Sequence, residues 1–180
     1  MKNTVLILTA FIFINFNVQA QESETETETP DYSENVATLD ATIKTLYSVI
    51  SGDKGVERNW ELFKYLFHSN AKLIPTGKNQ DGETIARYMK PDGYIKSSGK
   101  WLVENGFHEV EINRKTDTFG NITQVFSTYE SFRSKSDTEP FMRGINSIQL
   151  LNDGKRWWII NIYWMQESET SPIPSNYLPD

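Results

Sequence analysis

Apolar positions along the chain change their period once, and the change divides the sequence into two kinds of element. From Thr38 they recur at helical spacing, with Leu39, Ile43, Leu46, Tyr47 and Ile50 on one face and Ser51-Gly52 closing the segment. Residues 56–67 repeat the pattern, placing Trp60, Phe63 and Phe67 on one stripe beside Leu62 and Leu66, which predicts a second, short helix. Residues 70–75 read as a short strand ended by Pro75, and residues 84–89 as another. A third helix is predicted over residues 91–105. Pro91 suits its first turn, where the missing N–H costs nothing, and Gly106 is a natural C-terminal cap. Its core stripe is Tyr94, Ile95, Trp101 and Leu102.

After Gly106 the period falls to two, and residues 107–165 read as antiparallel sheet in two hairpins. The first turns at Phe119-Gly120-Asn121, where Gly-Asn fits a two-residue turn with positive φ. The second turns at Asn152-Asp153-Gly154-Lys155, whose Asp-Gly is the strongest hairpin signal in the chain. Residues 166–180 carry too much proline for a central strand and are expected to form an irregular tail. Helices followed by a long antiparallel sheet predict one α+β domain over residues 38–165, with three N-terminal helices packed on one face. Strong curvature of such a sheet leaves a cavity between the layers.

The start of the chain has a different composition. A positive start at Lys2, an apolar run over residues 5–16 and the small-residue site Val18-Gln19-Ala20 form the three parts of a secretory signal over residues 1–20. That run of about 12 apolar residues is too short for a comfortable membrane span. Export, to a periplasm or outside the cell, is therefore expected, with no membrane attachment after cleavage. Residues 21–35 alternate acid and hydroxyl and offer nothing to bury, so they read as a solvated tether. The chain has no cysteine, so stability must come from buried apolar surface rather than disulfides. Its formal charge of -6, with no run of Lys and Arg to offset it, argues against nucleic acid or anionic membrane as a partner.

Several segments then resemble a known superfamily in their order and spacing. The motifs are Tyr47-Ser48-Val49-Ile50-Ser51-Gly52-Asp53, then Trp60-Glu61-Leu62-Phe63-Lys64-Tyr65-Leu66-Phe67, then Asn70-Ala71-Lys72-Leu73. Together with the closing residues 144–150 and 154–164, they resemble the nuclear-transport-factor-two-like proteins, which include ketosteroid isomerases and polyketide cyclases. The resemblance implies a cone: a curved antiparallel sheet with the three helices on its concave face, a pocket between the layers, and frequent dimers through the outer sheet face. It does not settle function, since this fold serves both enzymes and proteins that only bind or assemble.

Candidate site residues follow from strand register. If Asp153-Gly154 forms a two-residue turn, Asn146 lies opposite Asn161, and one face carries Gly144, Asn146, Ile148 and Leu150 with Trp157, Ile159, Asn161 and Tyr163. The resemblance makes this the pocket face, because the superfamily's pocket position falls on Asn146. Regular pairing in the first hairpin puts His108, Val110 and Ile112 inward with Val125, Ser127, Tyr129 and Ser131, and Glu109 and Glu111 outward. The isomerase positions give Pro75 for the base, Thr45 for the tyrosine and Asn146 for the oxyanion donor, with Tyr47 expected to point elsewhere. That chemistry then lacks a base unless another carboxylate reaches in.

Three functional readings remain open. The first is a small-molecule binding domain with Asn146, Asn161, Tyr129, Tyr163 and Trp101 as ligand contacts, requiring an enclosed cavity of roughly 300 Å³ or more. In the second, a dehydratase, isomerase or cyclase uses His108 as base and Asn146 as donor, although His108 reads more readily as a histidine with a purely structural hydrogen bond. The third is a homodimer through an outer face carrying Trp158, Ile160, Ile162 and Trp164. No cofactor is expected, since no Gly-rich phosphate loop occurs, and two distant histidines without cysteine make no metal site.

Overall fold

The computed structural model describes residues 30–179, so the expected signal and the tether over residues 21–29 lie outside the described residues. Residues 31–35, expected in the tether, are packed on the domain. Tyr32 meets Tyr65 edge-on at 5.6 Å, Asn35 donates to Thr45 Oγ1, and a 3-10 turn over Ser33–Val36 buries Val36 to 1% exposure.

Three helices and six strands follow. Helix α1 spans Leu39–Ile50 and is capped by Thr38, whose hydroxyl accepts from the Ala41 N–H at 3.0 Å. Helix α2 is shorter than its apolar stripe predicted, Trp60–Tyr65, because Asn59 caps it and the chain has already turned into strand β1 by Phe67. Strand β1 runs Phe67–Lys78, β2 is the short Thr84–Ala86, and helix α3 covers Pro91–Asn105 before Gly106 at φ 71. Strands β3 (His108–Phe119), β4 (Ile122–Phe132), β5 (Met142–Asn152) and β6 (Trp157–Gln166) complete the chain.

The sheet has the order β2-β1-β6-β5-β4-β3. All neighbours are antiparallel except β1 and β6, which pair in parallel with Leu73 opposite Ile162. This parallel pair joins the N-terminal half to the last strand. The core lies between the helices and the concave face, where Ile43, Phe63, Leu66, Val125, Ile148 and Ile159 are all fully buried. Burial of these side chains, at about 1.5–3 kcal/mol each, replaces the disulfides the chain cannot make.

Both hairpins depart from regular register, each through a bulge and the second also through a longer turn. In the first, the two-residue turn at Gly120-Asn121 forms as expected, with Phe119 opposite Ile122 and regular pairing back to Asn113 opposite Thr128. Ile112 is then an extra residue, and beyond it Glu111 faces Tyr129 and Glu109 faces Ser131. In the second, the turn is longer than Asp-Gly predicts. Asn152 pairs with Trp157, and an extra residue at Ile160 separates the Leu150–Ile159 pair from the Gln149–Asn161 pair. Because side chains alternate with period two, each inserted residue exchanges the faces of everything beyond it.

Candidate functional site

The bulge at Ile112 turns two carboxylates toward the concave side. Glu109 and Glu111, rather than Val110 and Ile112, share that side with Ser127, Tyr129 and Ser131. Glu109 reaches a half-open cavity of about 220 Å³ between α1, α3 and the sheet. Phe63, Tyr94, Trp101, Phe107, Tyr129 and Trp164 form most of its wall with aliphatic residues from α1, β1 and β6. Glu109 is the one charged side chain on that wall, and Asn146 is beside it. The cavity is both smaller and more open than the enclosed space of roughly 300 Å³ expected for the binding reading.

A chain of hydrogen bonds runs from the protein surface to this cavity. Arg114 donates Nε to Glu111 Oε1 at 2.8 Å and Nη2 to Oε2, and reaches Asp40 with Nη1. Ser127 donates to the same Glu111 carboxylate. Since a carboxylate only accepts, the Ser127 hydroxyl proton is committed, and the 2.7 Å contact between Ser127 and Tyr47 must have Tyr47 as donor. The Tyr47 oxygen in turn accepts from Asn146 Nδ2 at 3.1 Å, and the second Nδ2 hydrogen points to Glu109 Oε1 at 3.4 Å. Ser131 supplies another donor to Glu109, at 3.2 Å. The sequence of donors thus fixes which way the Asn146 amide is turned.

These contacts set the ionisation of the site. Burial pushes the Glu109 carboxyl up to about 7, partly opposed by the hydrogen bonds from Ser131 and Asn146. Tyr47, Tyr94 and Tyr129 are driven well above the ordinary phenol range, first by burial and then by the nearby Glu109 charge, so all three stay protonated. Tyr94 and Tyr129 have no hydrogen-bond partner for their hydroxyls among the described residues, although both rings line the cavity. Tyr129 fits because its strand neighbour is Gly144: a Cβ there would lie 2.5 Å from the Tyr129 hydroxyl and from the Met165 carbonyl.

The structure brings together only some of the expected site residues. Asn146, Tyr129 and Trp101 lie on the cavity wall. Asn161 does not face Asn146: past the Ile160 bulge, it sits opposite Gln149 and donates to its side chain at 2.7 Å, while Trp164 takes the place opposite Asn146. Tyr163 is displaced in the same way and is 48% exposed on the outer face. Ile162 and Trp164, expected outside, point inward for the same reason. His108 is buried but does not line the cavity; its Nε2 meets Asp53 Oδ1 at 2.8 Å beside a neighbouring open groove. Tyr47, expected to point away, is hydrogen-bonded to Asn146. Glu109 and Tyr94 were missed as cavity residues. The available signal was on β4, where Ser127 and Ser131 would be left without partners against an apolar Val110 and Ile112. Among the described residues no group of three His, Cys, Asp or Glu side chains is placed to hold a metal ion.

No family model and no curated protein matches the chain. Solved structures do. An NTF-2 like protein of unknown function from Silicibacter pomeroyi is similar at TM-score 0.52 and 15% identity, over 77% of this chain and 100% of that one. A proposed ketosteroid isomerase from Parabacteroides distasonis gives TM-score 0.50 and 11% identity, over 76% and 98%. The yeast UBP3-associated protein BRE5 gives 0.51 and 18%, over 72% and 94%. With an open curved six-stranded sheet carrying three helices on its concave side, this chain has the NTF2-like fold.

Proposed function

We propose that the domain binds a small, largely apolar molecule in the cavity between helices and sheet, with the ligand's polar end at Glu109 and Asn146. The observation that carries this reading is the wall itself: six aromatic side chains surround one carboxyl and one amide, in a space left open rather than filled. Its volume limits the ligand to something below drug size.

Two of the expected catalytic groups are not free for that role, whereas Glu109 is a carboxylate that reaches the cavity and, at about 7, leaves a general-base role as the second reading. His108, the expected base, turns to Asp53 and away from the cavity. Asn146, the expected oxyanion donor, has both N–H groups engaged by Tyr47 and Glu109. An amide so committed cannot also meet charge developing on a substrate oxygen without losing a protein bond.

Saturation-transfer NMR with toluene and p-cresol tests the reading. Both probes are expected to show transfer with the intact chain. Ser98→Phe, which places a ring at a cavity-lining position on α3, is expected to abolish transfer while leaving the melting temperature within a few degrees. Equal transfer to both proteins would overturn the assignment of the cavity as the site.

A further inference from the structure

Hydrogen-bond polarity narrows the ligand class. Every link from Arg114 through Glu111, Ser127 and Tyr47 to Asn146 runs in one direction, with each group donating toward Arg114's partner, Glu111. The Asn146 amide at the end of this chain therefore presents its oxygen, not its nitrogen, to the remaining space. Asn146 Oδ1 accepts no hydrogen bond from the described residues, yet no buried side-chain polar atom is left unsatisfied, so this oxygen is accessible. The cavity's polar end thus offers the Glu109 carboxylate and the Asn146 oxygen as acceptors, beside two phenol hydroxyls, each both donor and acceptor, without protein partners among the described residues.

Charge points the same way. No Lys, Arg or His lines the cavity, and its one charge is negative. Aromatic faces attract cations, and the rim shows it: the Arg133 guanidinium sits 4.5 Å from the Trp101 ring centroid and 4.1 Å from that of Phe141. The chain's formal charge of -6 favours approach of a cation and disfavours an anion.

We propose that the cavity takes a small organic ammonium ion, an amine with an apolar body and one cationic head, with the head at Glu109 and Asn146 and the body against the aromatic wall. This rests on the binding reading above and deepens it. Beside a neutral ligand the buried Glu109 carboxyl favours its protonated form, whereas an ammonium supplies the countercharge and the donors that hold it ionised.

The ionisable groups around Glu109 make the pH dependence specific. Tyr47 from α1, Tyr94 from α3 and Tyr129 from β4 stay protonated; Glu111 on the same strand is paired with Arg114. The His108–Asp53 pair and Arg58 do not line the cavity. With Glu109 at about 7, its ionised fraction rises about tenfold between about pH 6 and about pH 8.

Isothermal titration with benzylamine, benzyl alcohol and benzoate at those two pH values tests the proposal on the intact chain and on Glu109→Gln. Benzylamine is expected to bind at least about tenfold tighter than benzyl alcohol at about pH 8, to weaken about tenfold at about pH 6, and to lose its preference in E109Q; benzoate is expected to bind weakest. Benzyl alcohol binding as tightly as benzylamine at the higher pH would overturn the cation and leave the pocket standing. An amine preference or pH dependence that survives in E109Q would remove Glu109 from the site and overturn the proposal. If none of the three binds, the pocket reading fails with it. The wild-type pH dependence stands as evidence even if E109Q does not fold.

Discussion

Glu109 is where one residue's placement has a consequence for the whole protein. Its carboxyl titrates near 7 in the folded chain, against about 4.5 when unfolded, so between those values the native state holds a proton that the unfolded state has released. Stability from this group is therefore complete below about 4.5 and is lost as pH rises through about 7. The 2.5-unit displacement corresponds to about 3 kcal/mol. Urea unfolding of wild type and E109Q at about pH 5 and about pH 8 is expected to show the wild type losing about that much more stability across the interval. Parallel profiles would mean that the carboxyl is solvated and not held in the cavity wall. A basic ligand should reverse the trend, since it favours the ionised form.

At the scale of elements, the period of the apolar residues was enough to place α1, α3 and both hairpins, because those signals are local. Pro91 and Gly106 sit at the ends of α3 that they suggest, whereas the Asn59 cap starts α2 later than its apolar stripe predicts. Facing was not legible past the bulges. Nothing in Glu111-Ile112-Asn113 or Ile159-Ile160-Asn161 marks an inserted residue, as a glycine would, and one insertion exchanges His108 for Glu109 and Asn161 for Ile162. The parallel pairing of β1 with β6 is equally silent, since it joins segments far apart in sequence. Arg58 was also passed over. It is 6% exposed, has no carboxylate partner among the described residues, and donates to the carbonyls of Ile50, Gly52, Val56 and Leu102. It thereby ties the end of α1 to the turn after it and to α3. Arg58→Met would leave those carbonyls without donors and is expected to cost about 2–4 kcal/mol in urea unfolding, with Arg58→Lys recovering little, because an ammonium cannot fork to separated acceptors. A loss below about 1 kcal/mol for the methionine variant would show that water replaces the guanidinium.

For the whole molecule, the open question is what meets the convex side of the sheet. The expected dimer used Ile162 and Trp164 there, but both belong to the concave side, and the residues now outside are Phe126, Tyr163 and Met165, each still partly exposed. The C-terminal tail lies across part of this face. Glu167 pairs with Arg143 at 2.8 Å, the Tyr177 ring packs 5.0 Å from Phe126, and Thr128 and Asn113 donate to the Tyr177 and Leu178 carbonyls at 2.7 and 2.9 Å. A groove of about 460 Å³ remains between tail and sheet. The tail is therefore fastened mainly at its two ends, over apolar side chains it only partly covers, and a second sheet face cannot press on Phe126 while Tyr177 occupies it. Ending the chain at Gln166 is expected to shift the protein toward a dimer, read by sedimentation velocity at concentrations where the full chain is monomeric. Phe126→Glu in the shortened chain should reverse that shift, because a buried, unpaired carboxylate at the centre of an apolar interface costs several kcal/mol. A shortened chain that stays monomeric, or a dimer indifferent to F126E, would place any self-association elsewhere and leave the tail as a simple cover for the sheet.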